Sequence, residues 1–300
     1  FNVQLTPAVS PLEEKVVGGK GDHKILIVHV EGFISNSKKR TFLGGQTDAG
    51  LVERIREILA KAEKDDAIEA LVLRINSPGG TVTSSDMIYH ELKAFKERRK
   101  LKVYALVMDM AASGGYYIAQ AADKIIAHPT SLTGSIGVIT IKVNAAGLMD
   151  KVGLDWEVIK SGAHKDFLSP FRSLTREERR LFQETIDSFH ERFVETIAEN
   201  RKDLNLEAVR SLADGRVYTS EQAMQRHLID HVAYWDGTEE IIRKDLGVAD
   251  LKFVTYHRPG EYKTNLYSAL PSTPAINLFQ FNFKFLPENP GPHFLYLWMP

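Results

Sequence analysis

The sequence contains no cysteine, which excludes thiol catalysis, disulfide bridges and thiolate metal sites. It also has no apolar run of the roughly eighteen residues needed for a transmembrane helix. No charge of one sign dominates, because 38 basic and 39 acidic residues leave a formal net charge of −1. Nucleic-acid binders are expected to carry a strongly basic face, so this balance predicts no nucleic-acid partner.

Several ligand-binding motifs are absent as well: a Walker phosphate loop, GxGxxG, HExxH and an EF-hand loop. No cluster of potential ligands has a spacing suited to a metal ion, so neither a metal nor an organic cofactor is expected. The chain has 300 residues, of which 43% are hydrophobic and 26% charged. This composition is typical of a globular protein with a sizeable core.

Short apolar, β-branched runs alternate with amphipathic helical patterns along the first half of the chain. Such alternation predicts an α/β domain with mainly parallel strands and right-handed crossovers. Strands are predicted at 25–30, 70–75, 103–108, 124–128, 137–141 and 156–160, and helices at 49–65 and 84–99.

The second half is more helical. Thr175 and Glu178 have the spacing of a capping box, which predicts a long helix running to about Arg201. A second capping pattern, at 219–222, predicts a shorter helix ending near residue 227.

Composition divides the chain into three parts. Residues 1–23 are polar with a glycine-rich end and are interpreted as a leader or linker. Because the chain begins with Phe, we expect a membrane anchor to have been removed before it. Residues 24–250 form the α/β domain. Residues 251–300 contain several prolines and scattered aromatics, and are predicted to be an extended tail with at most one strand.

The apolar FLYLW near the end of this tail, at 294–298, has two interpretations. It either packs locally or at an oligomer contact, or lies in a substrate groove or against a sheet edge.

The segment MAASGGYYIAQAA, at 110–122, places Ser113 between a predicted strand and a predicted helix. A second glycine-rich turn, NSPGG at 76–80, ends the preceding predicted strand. Parallel strands end at one edge of a sheet, so the amides of Gly80 and Gly114 could together form an oxyanion hole. The alternative interpretation is that both glycine pairs are turns and close-packing points without a catalytic role.

A serine nucleophile needs a base. His29, His128 and His164 lie nearest to predicted strands, but none has an evident carboxylate partner in the sequence. A desolvated lysine is the alternative, and Lys160 and Lys165 both lie in a glycine-containing loop after the last predicted strand. The residue pattern alone does not distinguish these candidates.

Five ordered blocks resemble the signal peptide peptidase A (SppA) family of bacteria and archaea. They are RINSPGGTV at 74–82, MAASGGYYIAQAAD at 110–123, TSLTGSIGVI at 130–139, KSGAHKDFLSP at 160–170 and ADGRVYTSEQAMQRHLID at 213–230. The resemblance covers roughly residues 24–250. It implies a ClpP/crotonase-like α/β fold of repeated β-β-α units, with a helical segment after the core and an extended C-terminal tail. It also implies a serine endopeptidase with a Ser/Lys dyad.

The resemblance further implies roles for single residues. Ser113 would be the nucleophile, Lys165 the general base with Lys160 as the runner-up, and Ser135 a hydroxyl that orients the lysine. The Gly80 and Gly114 amides would form the oxyanion hole. Because a protonated lysine cannot accept a proton, a lysine base implies activity that rises towards alkaline pH.

The implied substrates are apolar peptides, notably signal-peptide remnants at the membrane, bound in a groove lined by residues around 71–82 and 133–141. The family's longer form has two tandem α/β units, whereas this chain has one. The resemblance therefore implies a homo-oligomeric ring or dome in which neighbouring subunits share the dyad. The expected location is the cell membrane, with the soluble domain on the extracytoplasmic side.

Two rival functions stay open. One is a crotonase-fold acyl-CoA hydratase or hydrolase, in which paired glycine amides would stabilise a thioester enolate. The other is a catalytically silent scaffold with the same fold. Retention of Ser113, Ser135 and Lys165 argues against the scaffold, and labelling of Ser113 by an active-site serine reagent would separate a peptidase from a hydratase.

Overall fold

A computed structural model describes residues 10–37, 50–259, 265, 267 and 294–299. Within these ranges the strands are β1 (Glu13–Gly19), β2 (Lys24–Glu31), β3 (Ile68–Ser77), β4 (Gly79–Thr81), β5 (Lys102–Ala112), β6 (Lys124–Ala127), β7 (Leu132–Gly134), β8 (Val217–Thr219), β9 (His231–Val232), β10 (Lys252–His257) and β11 (Leu295–Leu297). The helices are α1 (Leu51–Ala62), α2 (Val82–Arg99), α3 (Gly114–Ala119), α4 (Ala146–Val152), α5 (Arg176–Asn200), α6 (Leu206–Leu212), α7 (Ser220–Gln225) and α8 (Trp235–Leu246). None of these described helices has the length and apolar character needed to cross a membrane.

Most strands join one sheet with the order β1-β10-β2-β3-β5-β6-β9. Every pairing along this path is parallel except that of the edge strand β1. The end of β5 continues into a parallel pairing with β7, and β8 lies antiparallel to β7. The predicted α/β class with mainly parallel strands is therefore confirmed.

Both faces of the sheet are buried, which explains why its strands are apolar along most of their length. Along β2, Leu26 and Val28 pack into the larger core cluster, to which α1, α2 and α5 contribute. The alternate residues Ile25 and Ile27 face a second cluster that contains Ile242 of α8. Successive strand residues point to opposite faces, so one apolar run supplies both clusters.

The structure places parts of the expected leader and tail in the sheet. β1 lies antiparallel to β10, and β10 lies parallel to β2. Residues 13–19 and 252–257 thus add two strands to the domain that the sequence analysis bounded at 24–250. Phe253 and Tyr256 of β10 are buried in the core clusters, and this burial explains why the segment joins the sheet.

Two predicted strands, 137–141 and 156–160, are wrong. In the first, only Ile139 forms an isolated bridge, and its partner is Leu295. The second segment is exposed throughout and pairs with no strand in the described part of the chain, and Ile159 is 98% exposed. Apolar residues that have no neighbouring strand to pair with cannot form a ladder, whatever their propensity.

The predicted capping boxes are present. Thr175 Oγ1 accepts a hydrogen bond from the Glu178 amide at 3.1 Å, and the Glu178 carboxylate accepts one from the Thr175 amide at 2.9 Å. Helix α5 then begins at Arg176 and ends at Asn200, close to the predicted end. A second capping box opens α7 at Thr219. Helices α4, α6 and α8 were not predicted.

Arg201 joins the end of α5 to the sheet. It is buried, and its guanidinium donates to both carboxylate oxygens of Asp230 at 2.8 and 3.0 Å. The same guanidinium donates to the His227 carbonyl oxygen, and Asp230 also accepts from the Ile125 amide of β6. One ion pair therefore holds the long helix against the sheet.

Replacing Arg201 with alanine is expected to lower the free energy of unfolding by about 2–3 kcal/mol, since Asp230 is left partly buried without its partner. Urea unfolding followed by circular dichroism measures the change. Arg180→Ala is the control, because Arg180 and Glu184 form an exposed pair whose loss should cost at most about 0.5 kcal/mol. Equal losses for the two variants would contradict the structural role given to Arg201.

Candidate active site

Ser113 lies in the turn between β5 and α3 and is completely buried. Its backbone has φ 52° and ψ −113°, a conformation that residues other than glycine rarely adopt. Its N–H donates to the Gly134 carbonyl oxygen at 2.7 Å, so the turn is held by β7. Strained turns of this kind cluster at functional sites.

The Ser113 hydroxyl has no hydrogen-bond partner among the described atoms, although it is buried. An unpaired buried hydroxyl costs about 1–3 kcal/mol, so such groups are rare in folded proteins and need an explanation. A nucleophile kept ready for a substrate carbonyl and a base is one such explanation.

The backbones of Gly80 and Gly114 approach each other at the turn that follows Ser113. A methyl group placed on Gly114 would lie 3.2 Å from the Gly80 nitrogen and 3.2 Å from the carbonyl oxygen of Tyr296. One placed on Gly80 would lie 2.0 Å from the Ile34 carbonyl oxygen. Close backbone approach therefore requires glycine at position 80, whereas at position 114 the nearest atom to the added methyl group is the Ser85 hydroxyl oxygen, at 2.4 Å. The two glycine turns predicted to meet at one sheet edge do meet there.

Ser135 is buried next to the serine turn. Ala112 of β5 pairs with Gly134 of β7, and Ser113 and Ser135 are the residues that directly follow this pair. Neighbouring strands are about 4.8 Å apart, so the register makes the two serines neighbours. Ser135 also has a positive φ, 51°, and its N–H donates to the Arg216 carbonyl oxygen.

The candidate bases lie elsewhere in the chain. Lys165 is exposed on a loop in which its own N–H donates to the Gly162 carbonyl oxygen. Lys160 donates its ammonium hydrogens to the Ala163 carbonyl oxygen at 2.8 Å and to Asp166 at 2.5 Å. Since Ser113 Oγ has no partner among the described atoms, neither lysine is hydrogen-bonded to it within this single chain.

The three candidate histidines do not form a hydrogen bond with Ser113 Oγ either. His29 faces Glu31 at 3.3 Å, His128 lies 2.9 Å from Thr130, and His164 lies 3.9 Å from Glu178. Glu31 and Thr130 lie two residues after His29 and His128 in the chain, and Glu178 lies in the first turn of α5.

An ion network organises the loop that carries Lys165. Arg172 donates to both Asp166 and Glu178, with distances between 2.6 and 2.9 Å. Hydrogen bonds from Arg172 and then from Lys160 hold the pKa of Asp166 well below its usual range. Hydrogen bonds from Arg172 lower the pKa of Glu178 to about 2. The network joins the loop to the start of α5.

The C-terminal strand β11 lies across the site. It is antiparallel to β4, with the pairs Leu295–Thr81, Tyr296–Gly80 and Leu297–Gly79. Its other edge exchanges two hydrogen bonds of 3.0 Å with Ile139. A five-residue apolar segment of the chain is therefore bound as a strand beside the buried serine.

A buried serine, converging amides and a slot that accepts an extended backbone together define a serine hydrolase that acts on peptides. The comparisons with known proteins agree. The model of peptidase family S49 matches residues 95–249, and the Clp protease model matches residues 33–133.

Two curated relatives cover most of the same region. An Enterococcus faecium protein named "Putative signal peptide peptidase SppA" is 33% identical over 244 residues, which cover 81% of this chain and 70% of that protein. A Synechocystis sp. protein named "Putative protease slr0021" is 44% identical over 184 residues, which cover 61% of this chain and 64% of that protein.

Among solved structures, the 1510-N membrane-bound stomatin-specific protease superposes with a TM-score of 0.48 and 15% identity, over 74% of this chain and 85% of the other. The chain belongs to peptidase family S49, and it is a serine peptidase with a ClpP-like α/β fold. Membership of this family does not favour the rival interpretation of the chain as an acyl-CoA hydratase or hydrolase.

Val82 and Ile139, whose backbones line the slot, fall within the ranges 71–82 and 133–141 that were expected to line the groove, whereas Ile34 lies outside both ranges. Ile34 flanks β4 in a parallel bridge to Gly80, and Val82 donates to the Phe294 carbonyl oxygen at 3.1 Å. Ile34 joins the slot through backbone atoms only, so no side-chain pattern indicated it.

Gly80→Ala is expected to lower both the melting temperature and the peptidase activity, because the new methyl group meets the Ile34 backbone and must displace β4 with its amides. Gly147→Ala in α4 is the matched control, since no atom lies within 4 Å of that position. Thermal unfolding and hydrolysis of a casein substrate measure the two effects. An active, fully stable Gly80→Ala protein would contradict the close approach.

Glu178→Gln tests the ion network through its pH dependence. The folded-state pKa of Glu178 is lowered to about 2 from an ordinary 4.5, so the stability it contributes is complete above pH 4.5 and is lost as the pH falls to 2. Glutamine preserves the capping box but not the ion pair. The difference in free energy of unfolding between wild type and Glu178→Gln should therefore shrink from pH 5 to pH 2, as measured by urea titrations. A constant difference would refute the assignment.

Proposed function

We propose that the protein is an endopeptidase with a Ser/Lys dyad, in which Ser113 is the nucleophile and Lys165 the general base. Ser135 orients the lysine, and the Gly80 and Gly114 amides bind the oxyanion. The observation that carries this proposal is the buried Ser113 hydroxyl, held in a strained turn without a hydrogen-bond partner and beside converging backbone amides.

The chemistry follows from these positions. Neutral Lys165 takes the proton of Ser113 Oγ as the oxygen attacks the scissile carbonyl, and the amides stabilise the resulting oxyanion. Collapse of this intermediate breaks the peptide C–N bond, and the lysine returns the proton to the departing amine. Water then attacks the acyl-enzyme with the same base, which releases the new carboxylate and restores Ser113.

The base is proposed to come from a neighbouring subunit. Lys165 is exposed and has no hydrogen bond to Ser113, whereas Lys160 is held by Asp166. A cavity of about 500 Å³ borders Ser135 and Ile139 and has room for a long side chain from outside the chain.

The exposed segment before Lys165 supports a subunit contact. Large apolar side chains along 143–159 are more than half exposed, and a surface of this kind is typical of an interface. They are Val143, Leu148, Val152, Leu154, Trp156 and Ile159. A homo-oligomeric ring or dome would cover them and would bring each Lys165 to the next subunit's Ser113.

The proposed substrates are apolar peptides, including signal-peptide remnants, and the proposed location is the membrane. The support comes from relatives: the Enterococcus faecium protein carries the name of a signal peptide peptidase, and the solved stomatin-specific protease is described as membrane-bound. The side of the membrane proposed is the extracytoplasmic one.

Ser113→Ala and Lys165→Ala should each reduce hydrolysis of an apolar peptide by at least about a thousandfold, because each removes a member of one catalytic unit. A mixture of the two variants, after subunit exchange, should regain activity through hybrid sites that hold one intact Ser113 and one intact Lys165. Lys244→Ala, an exposed lysine in α8 outside the proposed subunit contact, should leave the rate unchanged.

The mixing experiment needs an independent check of exchange, such as native mass spectrometry of subunits with different isotope labels. Confirmed exchange without recovery would place both dyad residues in one chain. Full activity of Ser113→Ala would refute the mechanism itself.

A further inference from the structure

Lys165 is exposed, but the turn that carries it, residues 162–169 (the lysine turn), is closely held. Within it the Lys165 amide donates to the Gly162 carbonyl oxygen at 3.1 Å, and the Ser169 amide donates to the Asp166 carbonyl oxygen at 2.9 Å. The side chain of Asp166 is only 13% exposed. Consecutive Cα atoms are about 3.8 Å apart, so the contacts that fix Asp166 also fix the backbone of Lys165.

Asp166 is held by two cations. Arg172 donates to its two carboxylate oxygens, from Nε at 2.9 Å and from Nη2 at 2.8 Å. Lys160 donates to the same carboxylate at 2.5 Å. A guanidinium that binds a carboxylate through two parallel hydrogen bonds fixes its orientation as well as its distance. These bonds therefore set both the place and the direction of the Asp166 side chain.

The same guanidinium carries this restraint to the body of the protein. Arg172 donates to both carboxylate oxygens of Glu178, at 2.9 and 2.6 Å, and Glu178 is buried in the first turn of α5. Helix α5 is fixed in the core by three fully buried side chains, Phe193, Val194 and Ile197. A continuous series of charge-assisted hydrogen bonds thus joins the lysine turn to a helix of 25 residues.

A second contact fixes the residue after Asp166. The Phe167 ring meets the Phe182 ring of α5 edge to face, with 5.2 Å between the ring centroids, and Phe182 is buried. The two residues that directly follow Lys165 are therefore both fastened to α5, whereas Lys165 itself is exposed. The lysine is the exposed end of a rigid support.

Stability alone does not account for a partly buried ion network of this kind. The free energy needed to remove charged groups from water offsets most of their attraction, and apolar residues of similar volume often stabilise a protein equally well. Directional bonds between charged groups do, however, specify a single geometry. Such bonds beside an exposed lysine indicate that the position of the lysine matters.

We propose that Arg172 is a positioning residue for the general base Lys165. Acting through Asp166 and Glu178, it holds the lysine turn in the arrangement from which the lysine reaches the next subunit's Ser113. The proposal rests on the Ser/Lys dyad and its sharing between subunits, both proposed above, and deepens that function by naming the group that directs the base. Arg172 thus serves the subunit that donates the lysine, and not the subunit that binds the peptide.

The expected effect is on the chemical step. A general base accepts a proton only within hydrogen-bond distance, about 2.6–3.2 Å, and a displacement of about 1 Å can cost about a hundredfold in rate. Because a lysine side chain is long and flexible, its reach depends on where its backbone is held. The base contacts the reacting proton rather than the rest of the peptide, so loss of its position should lower kcat and leave KM nearly unchanged.

The first experiment measures hydrolysis of an apolar peptide by Arg172→Ala. Its kcat should fall by about thirty- to a hundredfold, while KM changes by less than about twofold. Arg172→Lys keeps the charge but not the planar fork, so its kcat should lie between those of Arg172→Ala and wild type. Arg180→Ala, which removes an exposed arginine of α5, is the matched control and should retain the wild-type kcat. Equal kcat values for Arg172→Ala and this control would overturn the proposal.

Melting curves and native mass spectrometry identify a variant that fails to fold or to assemble. In that event Asp166→Asn, which removes the partner charge with little change of volume, takes the place of Arg172→Ala and should show the same loss of kcat. An unchanged kcat in Asp166→Asn would then count decisively against the positioning role.

The second experiment locates the action of Arg172 within the assembly. Hybrid sites form between Ser113→Ala subunits, which donate an intact Lys165, and Lys165→Ala subunits, which carry an intact Ser113. Adding Arg172→Ala to the Ser113→Ala subunit should remove most of the activity that mixing restores. Adding it to the Lys165→Ala subunit should leave that activity unchanged. Equal losses in the two arrangements would mean that Arg172 only supports the fold, and the proposal would fail.

A third measurement separates this inference from the catalytic proposal. Hydrogen exchange of the lysine turn should be faster in Arg172→Ala than in Arg180→Ala, whether or not Lys165 is the base. If exchange is the same in both, the inference fails and the proposed function stands. Full activity of Lys165→Ala would instead remove the proposed function, and the inference with it. If subunits exchange but the two dyad variants do not complement each other, the action in the next subunit is refuted, and the kcat of Arg172→Ala decides whether the lysine is positioned within one chain.

Discussion

The hydrogen bond from the Ser113 amide to the Gly134 carbonyl is the constraint on which the site depends. It extends the β5–β7 pairing past the last strand residue and holds Ser113 at positive φ. The chain must then turn sharply into α3, and this turn brings the Gly114 backbone beside β4. The positions of Ser113, of the Gly80 and Gly114 amides and of Ser135 are therefore set by the register of three strands. The cost of the strained residue is offset by a buried sheet in which almost every neighbouring group is satisfied.

The sequence was a good guide where local chemistry decides structure. Apolar runs that are buried on both faces predicted the central strands, and two capping boxes predicted where α5 and α7 begin. The meeting of Gly80 and Gly114 followed from parallel topology, since successive parallel strands end at one edge. These inferences needed no knowledge of distant contacts.

The sequence predicted structure poorly where the conformation of a segment depends on a partner that is distant in the chain. β1 and β10 pair with each other although more than two hundred residues separate them in the chain. Both strands lie in polar or proline-containing stretches of sequence that are typical of linkers. Residues 137–141 have the apolar pattern of a strand, yet only Ile139 pairs, because its neighbour is the short segment at Leu295. The base is a further case. Lys160 and Lys165 are equivalent candidates in spacing, and the sequence does not reveal that Lys160 is held by Asp166.

The C-terminal strand is joined covalently to the site that it fills. A tethered ligand acts at an effective concentration set by the connecting chain, commonly in the millimolar range, and dilution of the enzyme does not change it.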